Sequence, residues 1–152
     1  MSEHRNRLAA LVAVAGAALA AGGTFLTWYE IEIAGFAAPG GDISGWEGRD
    51  GRTVVFSAAV AGLVAAMFAM GQRRLVWKIV LLAAGGVTTI VAFAGITDAR
   101  TKSDKIEDEF RIPPERVAAD VGIGLWIVAA GGVAELAAGA IARHEGSLAP
   151  ST

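Results

Sequence analysis

Four stretches of the chain are almost free of charge: residues 8–27, 53–70, 75–96 and 121–142. An α-helix rises 1.5 Å per residue, so about 20 apolar residues cross the roughly 30 Å of hydrocarbon in a bilayer. Each stretch is close to that length, and four of them in 152 residues leave no room for a separate soluble domain. The hydrophobic share of 54% only modestly exceeds the usual value of about 45–50%, so its arrangement in blocks carries the reading. The expected fold is an all-α membrane protein, a single four-transmembrane-helix bundle with outer loops at residues 28–52 and 97–120.

The rest of the composition narrows function by exclusion. There is no cysteine, and His4 and His144 both lie outside the apolar blocks. That argues against a disulfide, a Cys-ligated metal or cluster, and a helix-embedded haem. A net charge of −2 and a pI near 5.7 give no footprint for nucleic acid. No nucleophile–base pair or phosphate-cradling loop is recognisable, so no catalytic residue, metal or cofactor is expected.

Arg5 and Arg7 precede the first span. Ala18-Leu19-Ala20 also fits a signal-peptidase site, but the apolar run continues past it to the interfacial pair Trp28-Tyr29. Small residues recur through this span at Ala9, Ala13, Gly16, Ala17, Ala20 and Ala21, which suits close helix packing. The four-residue turn Gly71-Gln72-Arg73-Arg74 makes spans two and three antiparallel neighbours. Residues 97–116 are highly charged yet rich in helix formers, with Ile106, Phe110 and Ile112 as a weak apolar stripe. The third helix is therefore expected to extend past the membrane and break ahead of Pro113-Pro114. The fourth is expected to start around Pro114 and enter the bilayer near Val121. The tail, residues 143–152, is small and polar and expected to fray.

Orientation rests on basic residues near the helix ends. With the N-terminus inside, the inner segments hold Arg5, Arg7, Arg73, Arg74, Lys78 and Arg143, against seven basic residues in the outer loops. The inner charges are far denser and abut the helix ends, where the positive-inside rule acts. Both termini are expected in the cytoplasm, with the chain multi-pass in the cell membrane.

Residues 28–34, WYEIEIA, alternate with a period of two: Tyr29, Ile31 and Ile33 on one face, Trp28, Glu30 and Glu32 on the other. Pro39-Gly40-Gly41-Asp42 is a turn cluster, and residues 43–47 can return as a second strand. The expectation is a small extracytoplasmic β-hairpin between helices 1 and 2. A two-stranded hairpin is marginal alone, so its apolar face should rest on its own bundle, with a partner protein as the alternative. Trp28, Tyr29, Ile31, Ile33 and Trp46 are the candidate interaction residues of this loop. Asp42, Ser44, Glu47 and Asp50 carry oxygen ligands but do not have the spacing of a Ca²⁺ loop.

The one acid inside a span is Glu135, about 12 Å from the inner edge by helical rise. An acid near a helix centre costs at least about 2.5–3.5 kcal/mol and by default marks function. Gly124, Val128, Gly131, Glu135 and Gly139 share one helical face, which places Glu135 against a neighbouring helix. Lys78, entering from the same side, is its natural partner, or snorkels to the headgroups. The carboxyl is either a structural buried group, a proton- or ion-handling group, or a partner contact.

Phe25-Leu26-Thr27-Trp28, then Ser44-Gly45-Trp46-Glu47 and Asp50-Gly51, resemble the small four-span membrane proteins of actinobacteria, in which an SGW-type element precedes the second span. That resemblance implies a topology and no activity. The layout is also similar to that of claudins by analogy, with Trp28 and Gly45-Trp46 echoing a first-loop pattern that there forms a small sheet on four helices. The expected function is a non-enzymatic integral membrane protein of the envelope, an accessory, scaffold or interaction subunit. Its expected partners are the lipid bilayer and another membrane protein or a second copy. The alternative is a small oligomeric transporter, channel or proton-coupled carrier using Glu135.

Overall fold

The computed structural model describes residues 2–38, 41–72, 74–110, 113 and 117–142. Pro39-Gly40, Arg73, Ile112, the break at Pro114, the side chains of Ile106 and Phe110, and residues 143–152 lie outside them.

Among the described residues, four helices are each long and apolar enough to cross a membrane: α1 (Ser2–Thr24), α2 (Arg49–Ala69), α3 (Leu75–Phe110) and α4 (Ile123–Ile141). They run alternately up and down and pack in a closed ring, α1 on α2, α2 on α3, α3 on α4 and α4 on α1. The turn after Ala69 is as short as expected, and α3 runs 36 residues, well beyond its apolar part. Helix α2 starts earlier than the charge boundary suggested. Arg49 and Asp50 open the helix, and Asp50 sits at the positive end of the dipole.

Side-chain size sorts against exposure. The buried positions of α1 are Asn6, Ala9, Ala10, Ala13, Gly16, Ala17, Ala20, Gly23 and Thr24, a near-heptad series of small residues. Large apolar residues point outward instead, among them Leu11, Phe56, Ile90, Phe93 and Trp126. Helices with small interiors and large apolar exteriors are what close backbone packing in an apolar surrounding requires. In water the same belt would be an aggregation surface.

The loops hold a larger sheet than the expected hairpin. Its strands are β1 (Thr27–Ile33), β2 (Phe36–Ala37), β3 (Ile43–Ser44) and β4 (Val117–Val121). Strand β4 comes from the second loop and pairs antiparallel with β1 over Tyr29–Ile33. It takes one edge of β1, so β2 and β3 share the other, at Glu32–Ile33 and at Thr27–Tyr29.

Three expectations are thereby corrected. The first tight turn is Ala34-Gly35, both at positive φ (54° and 78°), which matches the twist of a two-residue hairpin and places β2 where no strand was expected. The return strand is only Ile43–Ser44, followed by a 3-10 turn at Gly45–Glu47. The fourth helix begins at Ile123, after β4, rather than near Pro114. Val117-Ala118-Ala119-Asp120-Val121 alternates with a period of two, and pairing satisfies a β1 edge that would otherwise be open. Gly122 makes the junction: a Cβ there would collide with the Thr27 carbonyl, and its N–H donates to Trp28 O at 2.8 Å.

Candidate functional site

Among the described residues, two places concentrate buried polar or aromatic side chains. The first is the middle of the bundle. Glu135 is completely buried on the α4 face that also buries Gly124, Val128, Gly131 and Gly139, while Trp126 and Val133 face outward. The helical face read from the spacing is therefore the packed one.

Glycines on both neighbours make room for this carboxyl. A Cβ at Gly16 of α1 would lie 2.8 Å from Gly131 O and 3.1 Å from Glu135 Cγ. One at Gly85 of α3 would lie 2.9 Å from Glu135 Cβ. Thr88 of α3, also fully buried, donates from Oγ1 to Glu135 Oε2 at 3.5 Å, while Glu135 Oε1 has no hydrogen-bond partner among the described residues.

Lys78 is not among its partners. Gly85 and Thr88 stand level with Glu135, so Lys78 is seven to ten residues away along α3, about 10–15 Å by helical rise. It lies half-exposed at the end away from the sheet. Helical rise measures depth from the membrane edge but not the stagger of α3 against α4, and the stagger is what separates the pair. The spacing of seven between Gly16 and Gly23, matched by Gly124 and Gly131, is the sequence signal for the α1–α4 contact. In the structure Gly16 meets Gly131 and Gly23 meets Gly124.

The second place is the sheet and the helix ends beneath it. Trp28 is 4% exposed and fills the gap where α1, α4 and the 3-10 turn converge. A Cβ at Gly45 would fall inside its indole ring, one at Gly124 would lie 2.8 Å from its Cδ1, and its Nε1 donates to Gly23 O at 3.1 Å. Tyr29, 5% exposed, points the other way and donates from its hydroxyl to Gly95 O of α3 at 3.0 Å. Burial first, then the carboxylates of Asp98 and Asp50, push its phenol up to about 12.

Of the five loop residues expected at an interaction surface, Trp28 and Tyr29 are thus core. Ile31 and Ile33 are half-buried on the Tyr29 face, opposite Ala119 and Val117 of β4. That apolar face rests on the molecule's own bundle, because β1 and β4 both pack on α3. Trp46 is the exposed member, stacked on Phe25 with ring centroids 5.2 Å apart, and Phe36 at the hairpin tip is more exposed still. Sequence reading missed Phe36 because it missed the Ala34-Gly35 turn that lifts it out. A cavity of about 270 Å³ at this end is lined by Tyr29, Asp50, Gly95, Thr97, Asp98 and Thr101.

Compared with known protein families and with curated proteins, the chain matches none.

Proposed function

We propose that this chain is a multi-pass membrane protein whose sheet-bearing end is a fixed contact platform, so that it acts as an accessory or scaffold subunit and not as an enzyme. The observation carrying the reading is the division of labour among the loop aromatics. Trp28 and Tyr29 tie the sheet to α1, α4 and α3, while Phe25, Trp46 and Phe36 remain exposed on it. Rigid aromatics lose little side-chain entropy on contact and are the usual anchors of interfaces. The exposed apolar belt supports the membrane placement, and Arg5, Arg7 and Arg74 at the far end support cytoplasmic termini. Helix α1 belongs to the packed ring, which supports its retention as a span over its removal as a leader.

Photo-crosslinking in intact cells tests this. A crosslinker at Phe36 or Trp46 is expected to give a discrete adduct with another protein, whereas one at the belt residue Ile90 gives none. Equal, diffuse labelling from all three positions would count against a platform.

A second reading is favoured by one observation, the fully buried Glu135 with an unpartnered Oε1 and no basic partner among the described residues. Such a group suits proton or ion passage through an oligomer. Reconstituted protein should then show a flux that Glu135→Gln abolishes; liposomes showing no flux sink this reading and leave the first untouched.

A further inference from the structure

The seam between α1 and α2 is uneven along its length. At the sheet end it is tight: a Cβ at Gly51 would press on Thr24 and on the Gly45 backbone. Toward the other end a groove of about 470 Å³ lies between the two helices on the outside of the bundle. That lies within the roughly 300–1,000 Å³ of small-molecule sites. Leu11 and Val14 of α1 and Ala66 and Ala69 of α2 line it, with Gly62 at one end and Arg7 at the other. A Cβ at Gly62 would meet nothing within 4 Å, so the space is real and is not held by the protein.

The charge at the open end restricts the occupant. Arg5, Arg7 and Arg74 are exposed there. Among the described side chains at that end, Arg5, Arg7, Arg74 and Lys78 are basic and none is acidic. A second copy docking symmetrically on this groove would bring its own Arg7 beside this one, setting like charges together. An anionic headgroup does the reverse. A guanidinium takes a phosphate through two parallel hydrogen bonds, and apolar walls suit a hydrocarbon chain.

We propose that the α1–α2 groove binds an anionic phospholipid, with one acyl chain lying along Leu11, Val14 and Gly62 and the phosphate on Arg7. The inference rests on the membrane placement proposed above. Native mass spectrometry of the full chain, loaded with equal phosphatidylglycerol and phosphatidylcholine, tests it. The expected result is preferential retention of phosphatidylglycerol. Arg7→Gln should lower that preference about fivefold, the effect of one basic residue at an anionic surface, and Arg7→Lys should keep most of it. Gly62→Leu fills open space, so it should expel the lipid while leaving the helical circular dichroism unchanged. Equal retention of both lipids, or phosphatidylglycerol adducts that survive both Arg7→Gln and Gly62→Leu, would overturn the site. A dimer that Gly62→Leu dissociates would overturn it in favour of a second copy. A chain that stays soluble without detergent defeats the membrane placement itself, whereas one that needs detergent yet shows no lipid preference defeats the groove alone.

Discussion

At one end of the bundle, the connections between helices are structural members; at the other they are little more than punctuation. The sheet end joins both long loops through β1 and β4, seats Trp28 among α1, α4 and the 3-10 turn, and hangs Tyr29 on α3. The far end joins α2 to α3 by a turn of about five residues, whose described residues are all exposed. Charge divides the same way. Residues 28–52 and 97–120 carry twelve acidic and seven basic residues, while the opposite segments carry two and six. The difference teaches that the ends serve different demands. One end holds a defined shape through long-range pairing and aromatic burial. The other is built from short connections, and the membrane placement proposed above asks little more of it than positive charge.

The contrast breaks most readily at Trp28. Trp28→Ala leaves a hole under the sheet and removes the indole hydrogen bond to Gly23 O, and is expected to lower stability by about 3–5 kcal/mol. The same unfolding titration in mild detergent should find Gln72→Ala, in the far turn, within about 0.5 kcal/mol of the parent. Equal costs at the two positions would erase the asymmetry.

A middle-sized effect is expected at Tyr29. Tyr29→Phe removes one buried hydrogen bond, worth about 1 kcal/mol, and hydrogen exchange should quicken in β1 and β4 before it does in the helices. The phenol also makes the sheet end alkali-sensitive. Its folded value of about 12 lies above its ordinary value of 10, so between those pH values the folded state holds a proton that the unfolded state has lost. Stability is then full below about pH 10 and declines as pH rises toward 12. The Tyr29→Phe protein should lack that decline; if it keeps the same alkaline slope, the phenol is not its source.

The smallest change sharpens the comparison by improving the sheet end. Ala34 holds φ at 54°, a conformation that costs an L-residue roughly 1–2 kcal/mol. Asn tolerates it better, so Ala34→Asn is expected to add about 0.5–1 kcal/mol and to raise the melting midpoint slightly. A loss of stability would mean that the turn is not the strained element.

Much of the helical frame is legible in the sequence, because it depends on local quantities. Blocks of charge-free residues fix where helices lie to within a few positions, and the repeat of small residues fixes which face of α1 and α4 is packed. Glu135 is legible for the same reason: its glycine neighbours recur at helical spacing on its own helix. That Lys78 falls short of Glu135 is not legible, since it depends on the stagger between two helices. Strand β4 leaves a faint mark in its alternation, overshadowed by the nearby prolines and by the apolar run that follows.

The chain by itself therefore determined four membrane-length helices, their up-and-down order, and the placement of an acid inside the fourth. Hydrophobicity and helical period are properties of neighbours in sequence, and they suffice for that. Tertiary structure alone decided that Trp28 and Tyr29 are core while Trp46 and Phe36 face out. It also decided that Thr88 and not Lys78 stands beside Glu135, and that two distant loops form one sheet. Those outcomes depend on how elements far apart in sequence slide and pair, and packing settles that only when all of them are present together.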